Sequence, residues 1–188
     1  MLDIGIVWIR EDFRIENNPA LSYAAENHKY VIALYIYNKT DYDNTREAQK
    51  WWLSKSLEIF KKDLALYNIN LQILVGNEID IFSKIKKKDN ISIYWNKIYE
   101  PDVISKGKKI RDLFIKNKIN FKYFKGNILN EFQEVTKNDK TPFKVFTPFW
   151  RTAEKIYLGL PPSKNYIVKK QSQIKSFFKD CINPNDIL

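Results

Sequence analysis

The sequence has very little of what several functional classes require. A single cysteine, Cys181, excludes an internal disulfide framework and fits a reducing cytoplasm. A single histidine, His28, leaves little from which to build a metal centre or a Ser-His-Asp arrangement. No run of about 18 apolar residues occurs, so no membrane span is expected. The chain goes into an apolar stretch almost at once, without the layout of a signal peptide. Neither G-x-G-x-x-G nor G-x-x-x-x-G-K-[ST] is present, which removes both of the common glycine-rich phosphate cradles. Carboxylates are scattered, and no pair has a spacing that assigns acid and base roles.

What is present is a globular composition: 188 residues, 44% hydrophobic and 29% charged, enough for one good core with an appendage. The formal net charge of +10 points to an anionic partner, nucleic acid first. The competing reading is a solvated Lys-rich surface, because most of the excess is Lys spread over expected helix faces.

The hydrophobic pattern alternates between short apolar runs and helical periodicity. Ile4–Ile9 reads as a buried strand that runs into a polar corner, Arg10 to Arg14, and then into a helix opened by Asn17-Asn18-Pro19. Tyr30–Tyr37 is a second strand, apolar throughout as expected when both sheet faces are covered. After a polar loop over Asn38–Thr45, Arg46–Tyr67 turns helical, with Trp51, Trp52, Leu53, Ser56, Leu57, Phe60 and Leu64 forming an apolar stripe. Asn70–Val75, Ile91–Trp95 and Ile119–Phe124 complete five strands, separated by helices expected over Glu78–Lys88 and Asp102–Asn117. This alternation predicts an α/β fold: a doubly wound, five-stranded parallel sheet, Rossmann-like, in the order 3-2-1-4-5. Ligands of such sheets sit outside the carboxyl ends of the strands, at the switch between strands 1 and 4. Beyond Phe124 the style changes. Lys144–Tyr157 is aromatic and partly helical, and Leu160–Leu188 is irregular with no core of its own. The expected division is a domain over 1–135 and a C-terminal linker tail over 136–188.

Four stretches carry a resemblance. Trp8-Ile9-Arg10, Asp12-Phe13-Arg14 and Asn18-Pro19-Ala20-Leu21 follow the pattern W-F-R-x-D-L-R…D-N-P-A-L. Gln49–Leu57 resembles R-W-W-L-H-H-S-L, with Ser54-Lys55 in place of the His pair. Tyr94–Pro101 resembles Y-W-N-x-x-Y-E-P, and Lys144–Arg151 resembles (Y/F)-x-V-F-T-P-F-W-(K/R). In order and spacing these resemble the N-terminal part of the DNA photolyase/cryptochrome family. The resemblance implies an α/β domain able to hold a light-harvesting antenna chromophore of folate or deazaflavin/flavin type. It also implies a linker to a helical domain, in cis or in trans, that binds FAD and contacts DNA. In that family excited reduced FAD splits pyrimidine dimers, and the antenna only passes on excitation energy. FAD is expected only in that helical domain, so this stretch is not expected to repair DNA alone.

Carried over residue by residue, the resemblance places the antenna site at Tyr35, Ile36 and Asn38, at Gln49, and at Asn96, Lys97, Ile98, Glu100 and Asp102. Independently of it, a flat conjugated ring needs an apolar slot with a few polar groups to orient it. Tyr35 and Ile36 can form the slot, and Asn38, Asn96 and Glu100 can supply hydrogen bonds. Two positions depart from the family's patterns: Asp102-Val103 stands where folate-binding relatives have Asn-Glu, and Ile98 where deazaflavin-binding relatives have Asp. Glu100, before Pro101, can also serve the helix N-terminus alone. Arg10, Asp12 and Arg14 either border the cleft or form a structural set of ion pairs, the simpler reading. Phe146, Phe149, Trp150 and Arg151 are expected to pack the linker.

Overall fold

The computed structural model describes residues 3–39, 47–85, 90–158 and 166–188. Two compact units are present: the sheet domain, made from the described residues of 1–124 together with 166–188, and a smaller unit within 125–165.

The sheet consists of β1 (Asp3–Ile9), β2 (Tyr30–Tyr37), β3 (Asn70–Val75), β4 (Asn90–Asn96) and β5 (Asn120–Phe124). All are parallel, in the order β3-β2-β1-β4-β5. The expected α/β, doubly wound order is therefore the observed one. Alternate residues of the strands feed two separate cores. Val7, Ile9, Val31, Ala33 and Tyr35 pack against helices α1 (Pro19–Asn27) and α2 (Glu47–Ala65). Ile4, Ile6, Trp8, Ile32, Leu34, Ile36, Ile93 and Trp95 face α3 (Glu78–Ser83) and α4 (Pro101–Lys116). In the second core the Phe82 ring lies edge-on between Trp8 and Phe114, 5.1 Å from each.

The helix starts are chemically determined. Asn18 accepts from the Leu21 N–H at 3.1 Å and Pro19 occupies the first turn of α1. Asn77 does the same for α3 through the Ile79 N–H at 2.9 Å. Gly76 ends β3 with φ at +146°, a conformation closed to side-chain-bearing residues. The helix expected over Glu78–Lys88 is observed to Ser83, and residues 86–89 lie outside the described ones, as do residues 40–45 of the expected loop and residue 46 at the start of the next expected helix.

Helix α2 differs from expectation in its phase. The buried stripe is Leu53, Leu57, Phe60 and Leu64, whereas Trp51 and Trp52 are 51% and 69% exposed. At about 100° per residue, a stripe anchored on Leu53 turns both indoles away from the sheet.

The tail from 166 onward is irregular, as its composition suggests, but it is tied to the sheet. Gln171 donates from its backbone to the Tyr67 carbonyl (2.8 Å) and from its amide to that of Ala25 (2.9 Å). Ile182 makes an antiparallel bridge to Ile73, and the Phe177 and Phe178 N–H groups donate to the Gln72 side-chain carbonyl. Val168 and Ile187 are buried in the first core. The segment thereby covers the outer edge of β3, whose backbone groups would otherwise be open.

In the smaller unit, α5 (Phe146–Leu158) follows a run of turns. Phe146 stacks on Trp150 at 6.2 Å, and both rings are exposed. Lys125 pairs with Glu134 at 2.8 Å. Thr141 donates to the Asp139 carboxylate from both backbone and hydroxyl, which holds that carboxyl below its usual range.

Candidate functional site: a cleft at the switch point

Outside the carboxyl ends of β1, β2 and β4 lies a cleft of about 980 Å³. Seven of the nine residues expected at a ligand site line it: Tyr35, Ile36, Asn38, Gln49, Ile98, Glu100 and Asp102. Tyr35 and Ile36, the two residues before the last of β2, point to opposite faces of the sheet, so between them they wall the mouth on both sides. The Tyr35 ring is steadied by Phe13, 5.7 Å away. Gln49 comes from the first turn of α2, and Ile98, Glu100 and Asp102 from the loop and first turn leading into α4.

Glu100 occupies the N-cap position of α4, yet its side chain makes no capping hydrogen bond. Its carboxylate is therefore not committed to the helix and lies on the cleft wall.

The remaining two expected residues do not line the cleft. Asn96, at the end of β4, is buried and holds the adjacent corner together. Its amide donates to Asp12 (2.6 Å) and to Asn18 (2.8 Å), and its carbonyl accepts from the Ala20 N–H (3.1 Å). Its backbone carbonyl accepts from the Arg10 guanidinium. Lys97 extends toward β5, its ammonium 5.3 Å from the Tyr123 ring. Asn96 is the last residue of β4 and Lys97 the first beyond it, so the strand's twist and hydrogen bonding, rather than proximity in sequence to Ile98, decide where they face.

In the charged corner Arg10 borders the cleft, while Asp12 is tied in by hydrogen bonds from amide groups rather than by the expected ion pairs. Asp12 is a structural acceptor for Asn96 and Asn18. Arg10 lines the cleft and rests on the Trp8 ring, 4.6 Å from its centroid. Burial pulls the Arg10 guanidinium down to about 10, opposed by the negative charges of Asp12, Glu11 and Glu78, so it remains a cation at neutral pH. Arg14 is turned outward, toward the Asn17 carbonyl.

Other lining residues were not among the candidates: Trp8, Glu11, Glu78, Ser105 and Lys106. Ser105 and Lys106 stand three and four residues after Asp102, a helical spacing that could have placed them beside it. Glu78 follows the end of β3, next in sheet order to β2. A second hollow of about 710 Å³ shares Arg10, Glu11, Tyr35 and Gln49 with the first and extends over Phe13 and Ser56 to the exposed Trp52.

A parallel, doubly wound sheet with a cleft at its switch point defines an α/β domain of the class whose ligands sit outside the carboxyl ends of the strands. The comparison with known proteins is more specific. The family model for DNA photolyase matches residues 5–167, and the chain belongs to that family. It is 29% identical over 150 residues to the deoxyribodipyrimidine photo-lyase of Agrobacterium fabrum, covering 79% of this chain and 31% of that one. It is 28% identical over 152 residues to cryptochrome-1 of Arabidopsis thaliana, covering 78% of this chain and 22% of that one. The chain thus spans about a third or less of the length of these curated relatives. Among solved structures, a bacterial class III photolyase from Agrobacterium tumefaciens superposes with a TM-score of 0.81 at 24% identity, over 99% of this chain and 38% of that one. An archaeal photolyase from Sulfolobus tokodaii, solved with two FAD molecules and described as implying a novel light-harvesting cofactor, gives 0.73 at 21% identity, over 98% and 40%. At these identities the structural matches establish the fold. Among the described residues, no helix is long and apolar enough to cross a membrane.

Proposed function

We propose that this domain holds a planar, light-absorbing heterocycle in the switch-point cleft and supplies excitation energy to a flavin held elsewhere in a photolyase-type assembly. The observation that carries the reading is the cleft itself. It has apolar walls from Trp8, Tyr35, Ile36 and Ile98, and polar groups of several kinds converge at its rim. The volume lies at the upper end of the usual range for small-molecule sites.

The rim chemistry narrows the ligand. Glu11, Glu78, Glu100 and Asp102 face two cations, Arg10 and Lys106. A heterocycle that presents N–H and O–H donors meets matching acceptors there, whereas a diphosphate tail along the same rim meets carboxylates. A deazaflavin, a flavin or the pterin of a folate suits the site by its ring, with the uncharged members of the set favoured. When bound, the ring would absorb the light. The residues of this chain would exclude water from its faces (Trp8, Tyr35, Ile36) and orient its edge (Gln49, Glu100, Asp102).

Dimer splitting would then belong to a helical FAD domain, in cis or in trans, and DNA would be engaged through that domain. On this reading the 188 residues alone leave pyrimidine dimers intact under light. The similarity to cryptochrome-1 over the same region supports a light-sensing role as the second reading, in which the same cleft serves a signalling flavoprotein. The test is the absorption spectrum of the chain after incubation with folate, deazaflavin, riboflavin or FAD and then desalting. A retained band for at least one ring compound supports the proposal. Bare protein with all four contradicts it.

A further inference from the structure

The β3 side of the sheet is covered by short elements. β3 is six residues, about 20 Å of strand. The helix that follows it, α3, is also six residues and so only about 9 Å long. The tail covers the rest. It bends over 177–180, where the Phe177 and Phe178 N–H groups donate to the Gln72 side-chain carbonyl at 3.2 and 2.8 Å. Between α3 and this bend a hollow of about 490 Å³ remains. Seven of its ten lining residues are apolar, among them Leu74 and Val75 of β3, Ile81 of α3, Ile85 just beyond it, and Phe177 and Phe178 of the tail. The other three, Lys84, Lys179 and Asp180, are charged and exposed, so they stand at the mouth. Among the described residues, neither ammonium forms an ion pair with a carboxylate. Two cations against one anion leave the mouth with a net charge of +1. Gln72 shares its face of β3 with Leu74, and its amide nitrogen is buried without an acceptor.

We propose that this hollow binds an unbranched alkyl carboxylate, a free fatty acid of medium length, with the chain against Leu74, Ile81 and Phe178 and the carboxylate at Lys84 and Lys179. The site shares no lining residue with the switch-point cleft and does not depend on what that cleft holds. Apolar walls give water few hydrogen-bond partners, and each methylene moved from water onto them is a gain. The volume lies in the lower half of the usual range for small-molecule sites, which suits one chain. A single negative charge on the ligand matches the net charge of the mouth. A nucleotide would bring several, against two lysines and an opposing Asp180.

The test is isothermal titration calorimetry of the full chain with octanoate, nonanoate and decanoate, each below its micelle point. One ligand per chain is expected, tightening about fourfold for each added methylene. Decyltrimethylammonium carries the decyl chain on the opposite charge and should bind about tenfold or more weakly than decanoate. Lys84→Glu/Lys179→Glu should weaken decanoate about fivefold or more. The control Lys108→Glu/Lys109→Glu on α4 changes net charge equally and should stay within about twofold. Val75 is partly exposed at the end of β3. Val75→Trp should therefore fill the hollow and weaken decanoate about tenfold or more with an unchanged melting temperature. Ile98→Arg, in the cleft, should leave decanoate binding as it is. No binding, affinity independent of chain length, equal binding of the cationic amphiphile, or equal loss in the two lysine pairs overturns the proposal. Loss of decanoate binding in Ile98→Arg would put the chain in the cleft and equally overturn it.

Discussion

Asn96 offers the sharpest test of how the cleft is built. Its side chain makes three hydrogen bonds, at 2.6, 2.8 and 3.1 Å, that join the end of β4 to the Asp12 corner and the first turn of α1. Replacing it with Ala removes a charge-assisted bond to Asp12, worth about 1.5–3 kcal/mol, and orphans the buried Ala20 N–H, at about 1–3 kcal/mol. Asn18 keeps its bond from the Leu21 N–H and so adds little. The expected loss is about 3–5 kcal/mol, which for a domain of this size lowers the melting temperature by roughly 10 °C or more. Urea and thermal unfolding followed by far-UV circular dichroism measure both. Asn96→Asp sharpens the test. It restores the acceptor for Ala20 but sets a second carboxylate against Asp12. Two carboxyl groups so close cannot both ionise freely, so the folded-state pKa of the pair rises above its unfolded value. Its stabilising contact is then present at low pH and lost as the pH rises through the raised pKa, making the deficit against wild type larger at about pH 8 than at about pH 4. A loss under about 1 kcal/mol for Asn96→Ala, or a pH-independent deficit for Asn96→Asp, would refute the role given to this residue.

Three further outcomes follow from particular contacts. A Cβ at Gly5 would lie 2.8 Å from His28 Cδ2, and the ring is held at both nitrogens, by Asp3 (2.6 Å) and by the Tyr94 hydroxyl (2.7 Å). Gly5→Ala should therefore cost about 2–3 kcal/mol in urea unfolding, and a neutral effect would show that the clasp yields freely. Leu57→Ala should cost about 2–5 kcal/mol, whereas Trp52→Ala should stay within about 0.5 kcal/mol. Similar losses for the two would contradict the observed phase of α2. Burial pushes the Cys181 thiol up, and its sulfur contacts the carbonyl oxygens of Phe178 and Gln72. Iodoacetamide at about pH 8 should therefore alkylate it more slowly in the folded chain than in urea, and equal rates would contradict the tail's placement.

The strands were the most legible part of the sequence. β2 carries a continuous apolar run bounded by polar residues, which fits a strand buried on both faces of a sheet covered by helices. The sheet order followed from crossover handedness, which depends on chain chirality and not on side-chain detail. The cleft residues Tyr35, Ile36 and Asp102 were accessible for the same reason, since strand ends and helix starts at a switch point converge. Asn96 was not, because its partners Asp12 and Asn18 lie about 80 residues away and only the folded corner shows that its amide is already engaged. Trp51 and Trp52 misled because two large apolar residues beside a stripe look like part of it, while the phase is set by Leu53, Leu57 and Phe60. The tail had no periodicity to read. It is fixed by isolated contacts, such as Gln171 with the Tyr67 and Ala25 carbonyls, that leave no pattern in sequence.

The measurement that tests the central reading most directly is an equilibrium titration of the chain with a deazaflavin, followed by ligand fluorescence anisotropy, in wild type and in Ile98→Arg. Ile98 lines the cleft and lies outside the two hydrophobic cores, so the substitution fills the site while leaving the sheet intact. Saturable binding at one ligand per chain in wild type, weakened at least tenfold in Ile98→Arg with an unchanged melting temperature, is the predicted result. Binding that Ile98→Arg leaves unaltered would place the ligand elsewhere and contradict the account.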